Sequence, residues 1–126
     1  MLNGTHHIAV ICSDYSRSKT FYMDKLGFRL ERELYRPAQN DYIRMLRLGD
    51  TVIELFDKAD APQRVTNPEA LGLRHLAFRV ADVEQCVAWL NSMDIPTEPI
   101  RTNPFTGKKL VFFQDPDGLP LELCEE

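Results

Sequence analysis

The sequence predicts an α+β fold built from two tandem units, each with the element order βαβββ. Segments with the two-residue hydrophobic alternation of strands and segments with helical periodicity occur in the same order in both halves of the chain. Gly, Asp and Pro residues lie between these segments. A His/Glu pair also recurs at equal separation. The 126 residues are 44% hydrophobic, which suits one domain with a core. We expect a first module at about 4–57, a connector at about 58–72 and a second module at about 73–126.

Each module begins with a strand that carries the pattern His-x-Ala. The first lies in "THHIAV" at 5–10 and the second in "RHLAFRV" at 74–80. Residues two apart share a strand face, so His7 lies beside Ala9, and His75 beside Ala77. Because alanine leaves space beside each imidazole, these faces could admit a ligand. His6 points to the opposite face and is interpreted as an ordinary surface residue.

A helix is predicted after each of these strands, started by a capping aspartate, Asp14 or Asp82. Three- and four-residue steps predict one buried face per helix. The first face is Tyr15, Ser18, Tyr22 and Leu26, before Gly27 ends the helix; the second is Val83, Val87 and Leu90.

Three strands should follow each helix. They are "FRLERELY", "YIRMLRL" and "TVIELF" in the first module, and "TEPIR", "KLVFF" and "LPLELCE" in the second. The turns "GD" at 49–50 and "DPDG" at 115–118 join the last two strands of each module, since Gly and Asp tolerate tight hairpins. The connector contains Pro62 and Pro68 and shows no periodicity.

Two glutamates occupy apolar strands, Glu54 in "VIELF" and Glu122 in "LPLEL". A buried carboxylate is costly unless it is paired with a cation or bound to a metal. Glu54 follows His7 by 47 positions, and Glu122 follows His75 by the same number (54 − 7 and 122 − 75). Two copies related by a pseudo-twofold axis would bring both pairs together. The pattern therefore predicts a metal site with two imidazole and two carboxylate ligands.

Composition excludes several classes of partner. The net charge of −4 and the pI near 5.4 argue against nucleic acid and anionic membranes. No stretch resembles a signal peptide or reaches the roughly 20 apolar residues of a membrane span, so a cytoplasmic location is expected. The three cysteines, Cys12, Cys86 and Cys124, are interpreted as small apolar residues. Arg74 and Lys108 are interpreted as solvated charges rather than substrate contacts.

The chain resembles the vicinal oxygen chelate superfamily, and within it the small glyoxalase I-like proteins. The resemblance covers essentially the whole chain and is carried by "HHIAV", "FYMDKLGF", "VIELF", "GLRHLAFRV" and "DPDGLPLEL". It implies two βαβββ modules in a cup-shaped mixed sheet around a divalent metal. By position, the implied ligands are His7, Glu54, His75 and Glu122. A homodimer is also implied, with ligands that in relatives often come from two chains.

The resemblance implies a metal-dependent lyase or isomerase. Zn, Ni or Co suits these ligands, and Fe or Mn is possible. The metal would stabilise an enediolate while Glu122, the usual base of such proteins, moves a proton between neighbouring carbons of a small α-hydroxycarbonyl or thiol-adduct substrate.

Two departures concern the thiol. Where glutathione-dependent relatives tend to carry an arginine, this chain has Ile11, and the asparagine expected after the first metal glutamate is missing from "LFDKAD". The alternatives that remain are an Fe(II) dioxygenase of the same fold and a module that binds a small molecule.

Overall fold

The computed structural model describes all 126 residues, which divide into two compact units, Met1–Pro62 and Gln63–Glu126. The first unit contains β1 (Ile8–Cys12), α1 (Tyr15–Lys19), a π-helical segment (Thr20–Lys25), β2 (Arg29–Arg36), β3 (Asp41–Leu48) and β4 (Thr51–Asp57). The second contains β5 (Leu76–Val80), α2 (Val83–Ser92), β6 (Arg101–Thr102), β7 (Lys109–Gln114) and β8 (Pro120–Glu125). The α+β class and the repeated βαβββ order are confirmed.

Both sheets are four-stranded and mixed, and they share one topology. Their strand orders are β1-β4-β3-β2 and β5-β8-β7-β6. The first and last strands of each unit pair in parallel, and all other pairs are antiparallel. Ala9 lies opposite Glu54, and Ala77 lies opposite Glu122. The residue pairs that the sequence repeats therefore occupy the same register in both sheets.

One face of the first sheet packs under the helical segment. Its buried residues include Cys12, Leu46, Ile53 and Leu55. The predicted helix begins at the Asp14 cap, whose carboxylate accepts the Arg17 backbone N–H at 3.3 Å. It does not continue as an α-helix, because a π-helical segment follows Lys19. The wider turn buries the neighbours Phe21 and Tyr22 together, and the segment ends before Gly27, whose φ of 91° favours glycine.

An arginine is buried on this helix-covered face. Arg44 of β3 is 8% exposed, and its guanidinium carbon lies 3.5 Å from the centre of the Tyr15 ring and 4.5 Å from that of Tyr42. Its nitrogens lie 3.3 Å from an Asp57 carboxylate oxygen and 3.7 Å from a Glu33 oxygen. Aromatic stacking and charge compensation therefore keep this cation in the interior.

The second unit has its core between α2 and one face of its sheet. Val83 and Leu90 of α2 are buried, as are Val111, Leu121 and Leu123. Asp82 caps α2 as predicted, since its carboxylate accepts the Gln85 backbone N–H at 3.0 Å. Asp115 organises the turn before β8 by accepting the backbone N–H groups of Asp117 and Leu119, each at 2.9 Å.

The predicted strand "TEPIR" is shorter than expected, because only Arg101–Thr102 forms β6. Pro96 and Pro99 lack the N–H that a ladder needs. The Glu98 N–H still donates to the Phe112 carbonyl at 2.9 Å, so the segment follows β7 without becoming a regular strand.

Between β4 and β5 the chain forms no helix or strand. None of the three cysteines forms a disulfide bond. None of the helices has the length and apolar character that a membrane crossing requires.

Candidate metal centre

In the first unit, His7 and Glu54 lie on the sheet face opposite α1. His7 immediately precedes β1, and its Nε2 is 3.8 Å from Oε2 of Glu54 in β4. Ala9, the strand neighbour of Glu54, is exposed and leaves the surface beside the carboxylate open. His6 was interpreted as a surface residue and is exposed, but its Nδ1 lies 2.8 Å from Nδ1 of His7. It therefore contacts the imidazole that the sequence singled out.

The second unit repeats this pair more tightly. His75 precedes β5, and its Nε2 is 2.9 Å from Oε2 of Glu122 in β8. Glu122 is only 8% exposed, so it is a buried carboxylate whose charge needs a partner. The Cys124 side chain hydrogen-bonds to Glu122; burial, with that contact, raises the pKa of the thiol to about 11. At neutral pH this sulfur is a protonated thiol.

Two neighbours orient the His75 ring. The first is Phe112, which packs against the His75 ring edge to face with ring centres 5.0 Å apart. Phe112 is itself covered by Arg101, whose guanidinium carbon lies 5.2 Å from the Phe112 ring centre. Arg74 Nη1 lies 3.2 Å from His75 Nδ1, although the sequence suggested only a solvated charge. Because a guanidinium only donates, this contact requires His75 Nδ1 to act as the acceptor and leaves Nε2 facing Glu122.

The structure thus brings each predicted histidine to its predicted glutamate within a unit. No group of three or more His, Cys, Asp or Glu side chains is arranged to hold a metal ion. The union of all four residues in one centre therefore stays a prediction. Each pair alone supplies one imidazole nitrogen and one carboxylate oxygen, donors that suit divalent transition metals.

A separate cleft of about 610 Å³ opens in the first unit where β1 and β4 end. It is lined by polar side chains that include Ser13, Tyr15, Asn40, Asp41, Lys58 and Asp60. Neither His7 nor Glu54 lines it. The cleft lies at the covered side of the sheet and does not belong to the His/Glu face.

The Glyoxalase/Bleomycin resistance protein/Dioxygenase superfamily matches residues 4–123, and the chain belongs to it. The family match and the repeated βαβββ unit confirm the family resemblance seen in the sequence.

Two similar proteins span almost the same length. Protein YwkD of Bacillus subtilis (strain 168), whose name states no activity, is 54% identical over 100% of this chain and 99% of its own. The crystal structure of a glyoxalase family protein from Enterococcus faecalis is 52% identical, covers 97% of both chains and superimposes with a TM-score of 0.92.

More distant relatives carry names that state a function. The 2-epi-5-epi-valiolone epimerase of an Actinomyces species is 31% identical over 95% of this chain and 78% of its own. A fosfomycin resistance protein, FosX from Listeria monocytogenes, was crystallised as an E126Q mutant with Mn(II) and a dihydroxypropylphosphonic acid. It is 16% identical, covers 100% of this chain and 94% of its own, and has a TM-score of 0.77, which shows a shared fold alone.

Proposed function

We propose that this protein is a divalent-metal-dependent lyase or isomerase of the glyoxalase I type. It would move a proton between neighbouring carbons of a small α-hydroxycarbonyl or thiol-adduct substrate. The observation that carries the proposal is the repetition of one His/Glu contact, His7 with Glu54 and His75 with Glu122, at the same register of two sheets. A single such contact would be an ordinary side-chain contact.

His7, Glu54, His75 and Glu122 are the proposed ligands of one ion, with Zn, Ni or Co as the first candidates and Fe or Mn next. Two imidazoles and two carboxylates fit such an ion, and the Mn(II) complex of FosX shows that this fold accepts one elsewhere. A divalent ion would supply Lewis acidity that stabilises negative charge on substrate oxygens.

Glu122 is the proposed base. Its Oε2 faces His75, and the contacts with His75 and Cys124 fix the orientation of the carboxylate. The small, exposed Ala77 beside it leaves room for a substrate carbon. Glu122 would accept a proton from one carbon and return it to the next, so no net proton is lost. Low exposure of Glu122 also limits exchange of that proton with water.

The test compares Glu122→Gln with Glu54→Gln. Glu122→Gln should retain a metal but lose about 10² to 10⁴ in rate, because a general base is removed. Glu54→Gln should first weaken metal binding, so excess metal should restore part of its activity. Turnover is measured with methylglyoxal plus several thiols, including glutathione, across a metal titration, and elemental analysis gives the metal content.

Four controls and outcomes decide the matter. The wild type should bind about one ion per chain, and His75→Ala should lower that stoichiometry; an unchanged value contradicts the ligand set. Full activity in Glu122→Gln contradicts the assigned base. Failure of the metal-loaded wild type to turn over any of these adducts favours the dioxygenase or the binding module instead.

A further inference from the structure

A second row of side chains lies next to the His75/Glu122 pair on the same face of the second sheet. Residues two apart on a strand share a face, so Arg79 lies on the same face as Ala77 in β5, and Cys124 on the same face as Glu122 in β8. Strand pairing puts its members side by side: Arg79 opposite Cys124, Cys124 opposite Leu110, and Leu110 opposite Arg101. We call Arg79, Cys124, Leu110 and Arg101 the arginine row.

The same row of the first sheet contains no charge. Its members, found by the same register, are Ile11, Phe56, Ile43 and Leu34. The two sheets share topology and register, so the fold itself does not require arginines at these positions. The arginine row is therefore a feature by which the second His/Glu pair differs from the first.

Both arginines of the row are exposed, and the strand register places them one row from the candidate base. Arg101 lies over Phe112, and the Phe112 ring contacts His75, so one aromatic ring separates the Arg101 guanidinium from the imidazole. Arg79 follows Ala77 by two residues on β5, a step of about 7 Å along the strand. Four adjacent strands span about 14 Å, so two arginine side chains can converge over Cys124 from both edges.

We infer that Arg79 and Arg101 bind an anionic group of the substrate beside Glu122, so that the substrate is an α-hydroxycarbonyl or thiol adduct bearing a carboxylate or phosphate. This inference rests on the proposed function. Guanidinium groups match the oxygens of both anions with paired, charge-assisted hydrogen bonds. A group held one row from Glu122 would orient the reacting carbons without taking part in proton transfer.

The first experiment uses three adducts of methylglyoxal that differ only in the thiol's end group. The thiols are 2-mercaptoethanol, 3-mercaptopropionate and 2-mercaptoethyl phosphate, which are neutral, carboxylated and phosphorylated. The wild type should show a lower KM for an acidic adduct, and whichever acid gives the lower KM identifies the anion. The double variant Arg79→Ala/Arg101→Ala should raise that KM about tenfold with kcat unchanged, and leave the neutral adduct unaffected.

Arg17→Ala is the matched control, because Arg17 is an exposed arginine of α1, on the opposite face of the first sheet. Its KM values should equal those of the wild type. Arg101→Lys retains the charge but loses the forked geometry, so its KM for the acidic adduct should lie between those of the wild type and the double variant. Equal KM values for neutral and acidic adducts in the wild type would overturn the inference and leave the proposed lyase standing.

The second experiment is independent of turnover. Inorganic phosphate is titrated into the purified protein, and the NMR signals of the arginine Nε–H groups are followed. Phosphate should shift the signals of Arg79 and Arg101 but not that of Arg17, and its affinity should fall about tenfold in the double variant. If phosphate binds in this way but no adduct is turned over, the anion site stands and the proposed lyase is refuted. If the wild type and the double variant bind phosphate with equal affinity, the anion site is refuted.

Discussion

Asp41 is a carboxylate surrounded by cations in the first unit. It is 7% exposed, accepts from Nε and Nη2 of Arg36 at 2.8 and 2.7 Å, and accepts from Nζ of Lys58 at 2.7 Å. The hydrogen bonds from Arg36, which have the largest effect, and the hydrogen bond from Lys58 hold the pKa of Asp41 well below its usual range. The unfolded chain, with an ordinary aspartate pKa of about 3.9, therefore takes up this proton at a higher pH than the folded protein does.

The contribution of Asp41 to stability should be complete above about pH 5 and should decline as the pH falls toward the depressed pKa. Asp41→Asn should accordingly be less stable than the wild type at pH 7, and the difference should shrink at pH 3. Urea unfolding at pH 7, 5 and 3 measures it. Asp24→Asn, which removes an exposed carboxylate of the π-helical segment, is the matched control. A gap for Asp41→Asn that does not narrow with acid contradicts this account.

Single residues also mark the limit of prediction from sequence at the candidate site. The two His-x-Ala strands and the two glutamates in apolar strands could be recognised, because their periodicity and spacing are written in the chain. The contacts of Arg74 and Phe112 with His75 could not. They depend on which side chains the sheet and the approach to β5 place together, and no sequence separation encodes that.

At the scale of elements, Arg44 joins β3 to α1. The guanidinium lies on the Tyr15 ring, and burial raises the pKa of that tyrosine despite the opposing charge of Arg44. Removing the arginine would take away this packing and leave Asp57 and Glu33 without their shared cation.

We expect Arg44→Ala to lower the free energy of unfolding by about 2–3 kcal/mol, because a buried cation and its stacking contacts are lost. Arg47→Ala serves as the control on the same strand. Arg47 pairs with Glu31 at 2.9 Å, but both side chains are substantially exposed, so its loss should cost under about 1 kcal/mol. Denaturant unfolding of both variants decides the matter; equal losses would mean that Arg44 is no more than a surface charge.

Elements were predictable where their pattern was long. Eight-residue β2 and β3, and β4 with its apolar run, follow two-residue alternation and end at recognisable turns. The π-helical segment was missed because six residues are too few to distinguish its period from that of an α-helix. The length of β6 was overestimated. The prolines of the preceding segment, Pro96 and Pro99, cannot donate hydrogen bonds to a sheet, so only Arg101–Thr102 pairs as a strand.

At the scale of the whole molecule, we expect a homodimer. The edge strand β2 is charged over most of its length but exposes Leu34 and Tyr35, and exposed apolar side chains on an unpaired edge favour association with a second copy. Light scattering at micromolar concentration should give twice the mass of the 126-residue chain. Leu34→Lys should weaken association by placing a charge on that edge, whereas Lys19→Glu on α1 should not. A monomeric wild type contradicts the expectation.

Each sheet is completed by strands from one half of the chain, β1 to β4 or β5 to β8. Amide protons held in a common ladder exchange with deuterium when that ladder opens, and ladders that open separately have separate protection. Native-state hydrogen exchange should therefore resolve two cooperative groups of amides: those of β3 and β4 would share one opening free energy, and those of β7 and β8 another. An ion that binds His75 and Glu122 would raise the protection of β8 through its whole ladder.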